Sequence, residues 1–235
     1  MGRNRIENVT GEQYEMTAKL LGAAFDMDGL MFETESVYYK AAEILLGRRG
    51  YPYTDELCRD VMGRPPQYCF EKFIETYNLP ETWQALSDES EDIFLEILKE
   101  GYETMPGLYP LLDRLDRCGV PKCVATSSSR RITEAILAKD SLKERFAFVI
   151  TSDDITRGKP DPQIYRTAAD RFGIAPESMA VFEDSHAGIE AARRAGAAVC
   201  FALRAEHNRD VDLSKADLVV AALDDKLVLS RFGRG

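Results

Sequence analysis

Residues Leu20 to Gly29 read Leu-Leu-Gly-Ala-Ala-Phe-Asp-Met-Asp-Gly. A short apolar run stops abruptly at Asp26, and a second carboxylate, Asp28, follows two residues later. A run without polar alternation is how a strand covered on both faces of a parallel sheet reads. Asp26 and Asp28 then fall at the carboxyl edge of that sheet. A turn just past the strand lets both face one pocket at that edge. Gly29 permits such a turn. The pair taken alone also fits two acids opening a surface loop.

Similar runs recur at Lys122 to Thr126, Phe146 to Thr151, Met179 to Phe182, Ala197 to Leu203 and Leu218 to Val220. Helical patterns lie between them. Leu111, Leu112, Leu115 and Cys118 share a face before Gly119, and Ile164, Tyr165, Ala168, Ala169 and Phe172 do so before Gly173. Ile189, Ala192 and Ala195 precede Gly196 in the same way. A glycine just past a helical stripe is a C-terminal cap. Strand and helix in alternation predict an α/β domain with a parallel sheet and right-handed crossovers.

From about Thr34 to Gly101 the alternation breaks, with four helical stretches and no convincing strand. Phe70, Phe73, Ile74 and Tyr77 form one stripe, and Trp83, Leu86, Ser90, Ile93, Phe94 and Ile97 another. Both read as helical core. This insert, 31–103, is expected as a separate small domain within a core formed by 1–30 and 104–235. Its hinges fall near Leu30 to Glu33 and Gly101 to Gly107. Residues 1–18 are expected as an N-terminal extension, with Met1 to Met16 loosely ordered.

The chain has 235 residues, is 45% hydrophobic and 30% charged, and carries a formal net charge of −10. That balance is ordinary for a globular protein. It argues against nucleic acid or an anionic membrane as the main partner. A small anionic substrate stays open, because a metal ion and one or two cations reverse the local field. No apolar run approaches the roughly 18 residues of a membrane span. The five cysteines form no C-x-x-C pair, and only His186 and His207 accompany them. Reduced, mostly buried thiols and a cytoplasmic location are the expectation.

Each of the first four strand ends carries chemistry. Thr126 is followed by Ser127, Ser128 and Ser129, whose hydroxyls, with the N–H groups opening the next helix, suit a phosphate. One serine is equally a helix N-cap. Lys159 stands in Gly158-Lys159-Pro160-Asp161-Pro162, fixed between glycine and prolines. It suits a charge that neutralises a phosphoryl group or pairs with an aspartate; a solvated turn is the plainer reading. Glu183-Asp184-Ser185 closes the fourth strand with carboxylates suited to a hard cation such as magnesium, although Asp184 or Ser185 also fits a helix cap. Four such decorations at one sheet edge coincide with where open α/β sheets bind ligands.

In this order, the motifs resemble those of the haloacid dehalogenase-like phosphatases. Asp26-x-Asp28-Gly29 matches the first motif, Thr126 the second, Lys159 the third and Glu183-Asp184-Ser185 the fourth. The resemblance runs from Leu20 onward and implies a Rossmann-like parallel-sheet core with an inserted all-helical cap domain, of the subfamily that includes β-phosphoglucomutase. It implies that Asp26 attacks phosphorus to form an aspartyl-phosphate. Asp28 would act as general acid and base, and Lys159 and Thr126 would stabilise the transferring oxygens. Mg2+ would be held by Asp26, the Asp28 carbonyl, Asp184 and Glu183. Ser127 and Ser128 are expected to bind substrate. So is Arg64, since Met62-Gly63-Arg64 is similar to a substrate-contacting cap stretch. Gln67, Tyr38 and Tyr39 lie in the same specificity region. The second aspartate, absent from true dehalogenases, points to phosphoryl chemistry. Glu33 stands where the subfamily carries an aspartate, and Tyr38 where its mutases carry a histidine.

The expected function is therefore a magnesium-dependent phosphatase, a monomer, acting on a small phosphorylated metabolite of the sugar-phosphate kind. A phosphomutase of the β-phosphoglucomutase type and a non-catalytic binding protein on the same fold are the alternatives.

Overall fold

The computed structural model describes residues 5–7, 13–15, 19–61 and 64–233. Two short strands, β1 (Arg5–Glu7) and β2 (Gln13–Glu15), pair antiparallel with Ile6 opposite Tyr14. The segment expected to be loosely ordered thus contains a ribbon, whose pairing gives its backbone groups hydrogen-bond partners. The remainder of 1–18 lies outside the described residues.

β3 (Gly22–Phe25) is the first strand of the large sheet. After it come four helices, α1 (Glu35–Gly47), α2 (Asp55–Val61), α3 (Pro66–Tyr77) and α4 (Trp83–Leu98). Alternation then resumes: α5 (Leu108–Arg117), β4 (Lys122–Ala125), α6 (Arg130–Leu137), β5 (Phe148–Ile150) and α7 (Gln163–Phe172). It continues with β6 (Met179–Glu183), α8 (His186–Ala195), β7 (Val199–Leu203), β8 (Leu218–Val220) and the short α9 (Lys226–Leu229).

Six strands form one parallel sheet in the order β5-β4-β3-β6-β7-β8. The apolar runs land in these strands because both faces are covered: every residue of β3, β4, β6 and β7 is buried. From β3 the chain builds outward to β5, then returns to the other side of β3 for β6. The strand order therefore reverses between β3 and β6. In-register pairing of Phe25 with Val124 and Phe182 aligns the three strand ends. Phe25 and Phe182 stack at 4.4 Å, and Phe182 meets Phe201 at 5.1 Å. On α7, Ile164, Tyr165, Ala168 and Ala169 are buried, and Gly173 ends the helix at φ 68°.

The chain divides into two compact units, Met1–Phe32 with Thr104–Gly235, and Glu33–Glu103. The first break falls two residues beyond Leu30, because the Met31 and Phe32 amides donate to the Met27 carbonyl and Phe32 also bridges to Asp28 and Thr104. In the helical unit, α1 packs against α4 through stripes that include Leu45 and Leu46 on one and Leu86, Phe94 and Ile97 on the other. Tyr38 meets Phe94 at 4.5 Å. Arg49 ties the unit together, 2.8 Å from Glu81 and 2.6 Å from Glu89. In α3 only Phe73 is fully buried, so that stripe is a half-exposed face.

All five thiols are free, but only Cys123 and Cys200 are buried and the others are half-buried, fewer than expected. No helix among the described residues is long and apolar enough to cross a membrane.

Candidate active site

The strand order reverses between β3 and β6, and the carboxyl ends of the strands at such a point are where open α/β sheets bind ligands. Asp26 follows β3 directly, its amide donating to the Phe182 carbonyl of β6 at 2.9 Å. The chain then turns, with the Gly29 amide donating to the Phe32 carbonyl at 2.9 Å. Gly29 sits at φ 71°, a left-handed conformation glycine tolerates at low cost. A Cβ there would fall 2.3 Å from Asp184 Oδ2 and 2.7 Å from His207 Nε2. Glycine is required both by the turn and by what lies against it.

The turn brings the two aspartates to different surroundings. Asp26 Oδ1 pairs with Lys159 Nζ. Asp28 Oδ2 accepts from the Ser128 hydroxyl at 2.6 Å and from Thr126 at 3.4 Å. The Ser128 amide donates to Thr126 Oγ1 at 3.0 Å, so β4's end is folded around Asp28. Ser129 is the helix cap of the serine run, accepting from the Ile132 amide at 3.3 Å. Ser127 is exposed.

Lys159 is not a solvated turn residue. Its ammonium also lies 2.7 Å from Glu183 Oε1, donates to the Ala125 carbonyl at 3.1 Å and sits 5.3 Å from the Tyr165 ring centre. Burial works against the Lys159 charge, but Asp26 and Glu183 overcome it and hold its pKa above the ordinary lysine value. Glu183, wholly buried, is occupied on both oxygens. Oε1 takes Lys159 and, at 2.5 Å, the Tyr165 hydroxyl; Oε2 takes the amides of Asp184 and Ser185 and the Ser185 hydroxyl. Burial and then the Glu183 charge push the Tyr165 phenol well up, which keeps it a donor. Ser185 also caps α8, accepting from the Gly188 amide at 3.0 Å.

Asp26, Glu183 and Asp184 each place a carboxylate oxygen within 4.8 Å of the others. Burial pushes the Asp26 carboxyl well above the usual carboxylate range; Lys159 pulls it down, and Glu183, Asp184 and Asp28 push it up again. When ionised, the three carboxylates of Asp26, Glu183 and Asp184 carry more negative charge than Lys159 returns. A buried surplus of hard oxygen donors fits a divalent cation, which would reverse the cost of ionising Asp26. Asp26 Oδ1 is engaged by Lys159, Asp184 Oδ2 by His207, and both Glu183 oxygens by Lys159, Tyr165 and the Asp184–Ser185 backbone.

All the core residues singled out by motif therefore share one sheet edge. Arg64 belongs to the helical unit, exposed, its guanidinium 5.4 Å from the Tyr68 ring; Met62 and Gly63 lie outside the described residues. Glu33 accepts from the Ser36 hydroxyl at 2.6 Å and from its amide at 3.4 Å, at the start of α1. Motif reading passes over three site neighbours. Tyr165 reads as core, and neither His207 nor Asn208 falls in a motif. His207 Nε2 lies 2.8 Å from Asp184 Oδ2, and Asn208 donates to the Asp184 carbonyl at 2.8 Å. Their position just past the apolar run of β7, at the same edge, was the available sign.

Comparison with known proteins agrees with this geometry. Residues 23–202 match the model of the haloacid dehalogenase-like hydrolases. The chain is 32% identical to a phosphorylated carbohydrates phosphatase of Thermotoga maritima, over 73% of this chain and 80% of that protein. It is 37% identical to a probable pseudouridine-5'-phosphatase of Drosophila melanogaster, over 76% and 79%. A putative β-phosphoglucomutase from Thermotoga maritima superimposes with a TM-score of 0.69 at 26% identity, covering 86% of this chain and 94% of its own. The chain belongs to the haloacid dehalogenase-like hydrolases, among their phosphoric monoester hydrolases.

Proposed function

We propose that the chain is a Mg2+-dependent phosphatase that cleaves a small phosphorylated metabolite, a sugar phosphate, through an aspartyl-phosphate on Asp26. What carries this reading is the contrast between two aspartates two residues apart: Asp26 paired with an ammonium, Asp28 held by hydroxyls. The first arrangement suits a nucleophile and the second a proton carrier.

In the first half-reaction an Asp26 oxygen attacks phosphorus, the ester P–O bond breaks, and Asp28 gives its proton to the departing oxygen. In the second, Asp28 takes a proton from water, which attacks the acyl phosphate and releases inorganic phosphate and free Asp26. Lys159 neutralises charge on the transferring oxygens, with Thr126 and Ser128 donating at the same edge. Mg2+ held by Asp26, Asp184 and the Asp28 carbonyl would supply electrostatic screening between nucleophile and anionic substrate. Glu183 anchors Lys159. The helical segment 31–103 is the cap of this reading, with Arg64 its candidate substrate contact. The sugar-phosphate class is supported by the Thermotoga relative's name.

The test is phosphate release from sugar phosphates, nucleoside monophosphates and p-nitrophenyl phosphate, with Mg2+ and with chelator. Release from sugar phosphates that stops on chelation, and is abolished in Asp26→Asn with the fold intact, is expected. Activity surviving in Asp26→Asn would overturn the mechanism. A phosphomutase has the structural neighbour in its favour; bisphosphate-primed isomerisation outrunning phosphate release would establish it instead.

A further inference from the structure

His207 has no part in the chemistry above, yet the loop that carries it is tied down from several sides. β7 ends at Leu203, and Arg204 Nη1 then donates to the carbonyls of Asn208, Arg209 and Val211 at 2.5, 3.1 and 2.8 Å. The Ala205 amide donates to Asn208 Oδ1 at 2.8 Å. Asn208, only 3% exposed, donates through Nδ2 to the carbonyls of Leu203 and Asp184, both at 2.8 Å. The loop is thus fastened to the backbone of Asp184 as well as to itself. The side chain it presents is His207, with Nε2 2.8 Å from Asp184 Oδ2.

Gly29 completes the arrangement. The space its absent side chain leaves is filled by Asp184 Oδ2 and His207 Nε2 together. The imidazole–carboxylate pair therefore packs directly on the turn that follows Asp28. An ionised carboxylate only accepts, so this hydrogen bond needs a proton on Nε2.

We propose that His207 is a positioning residue for Asp184: by donating to Oδ2 it holds the carboxylate in one orientation before a divalent cation arrives. This rests on the reading of Asp184 as a metal ligand. The terminal torsion of a carboxylate is broad in itself, and narrowing it on binding costs affinity. Partners of metal ligands commonly act in this way.

The experiment is calorimetric titration of Mg2+ into the full chain, for the parent, His207→Ala, His207→Gln and Asp184→Asn, with the melting temperature of each taken without metal. His207→Ala is expected to raise the Mg2+ Kd about 10- to 100-fold with the melting temperature little changed. Saturating Mg2+ should recover most of its kcat. His207→Gln, whose amide N–H can reach the same oxygen, should restore most of the affinity. Parental affinity in His207→Ala, or a glutamine variant as weak as alanine, would overturn the positioning role. Parental affinity in Asp184→Asn would instead overturn the metal-ligand reading beneath it.

Discussion

Lys159 and Glu183 form an ion pair of 2.7 Å at the carboxyl edge of the sheet, with 6% and 0% of their side chains exposed. Glu183 is committed to this lysine, to Tyr165 and to Ser185, and Lys159 in turn meets Asp26. A pair so deep holds its geometry because neither partner can find water if the other is lost.

Removing the ammonium should therefore cost stability as well as rate. Lys159→Met leaves Asp26 and Glu183 as uncompensated buried charges, and breaking a buried pair this way costs about 3–5 kcal/mol. Loss of transition-state charge stabilisation should lower kcat by about 100-fold or more. Urea unfolding and steady-state kinetics would measure both; an unchanged unfolding midpoint would contradict the structural role.

Adjacent serines should behave oppositely. Ser128→Ala removes the 2.6 Å bond to Asp28, and losing an ordinary hydrogen bond costs about 0.5–1.5 kcal/mol, a fall of roughly 2- to 10-fold in kcat. Ser129→Ala removes a helix cap and should lower stability by about 1 kcal/mol with kcat unchanged. Equal effects of the two on kcat would contradict this division.

Gly188 lies inside the first turn of α8, where alanine is normally the better helix former by up to about 1 kcal/mol. Here a Cβ would fall 1.8 Å from Glu183 Oε1. Gly188→Ala is expected to destabilise by about 1–3 kcal/mol or more, as overpacking does. A rise in melting temperature would show that Glu183 can move aside.

Asp154 supplies an acid-side pH dependence. Burial raises its pKa, but the Thr151 amide and hydroxyl and the charges of Arg130 and Arg171 outweigh that and set it below the ordinary value. A lowered folded-state pKa gives stability that is present above the unfolded value, about 3.9, and is lost as pH falls through the folded one. The stability advantage of the parent over Asp154→Asn should therefore be full near neutrality and shrink below about pH 4. Denaturant midpoints across that range would test it; a constant difference would contradict it.

Much was legible from composition along the chain alone. The apolar runs, the helical stripes ending at Gly119, Gly173 and Gly196, and the acids after Phe25 and Phe182 follow from local rules. A doubly covered strand, a left-handed cap and a tight turn each leave a mark within a few residues. For the same reason the sequence singled out Asp26, Asp28, Thr126, Lys159, Glu183 and Asp184.

Tertiary structure alone decided what depends on distant segments meeting. The strand order put β6 beside β3, and with it Lys159 between Asp26 and Glu183. It also used up Glu183's oxygens, turned Tyr165 from a core ring into a hydrogen-bond donor, and brought the loop after β7 onto Asp184. His207 and Asn208 carry no periodicity or spacing that marks them. Their roles come from atoms more than twenty residues away along the chain, and a hydrogen bond of that kind exists only once the backbone has placed both ends within about 3 Å.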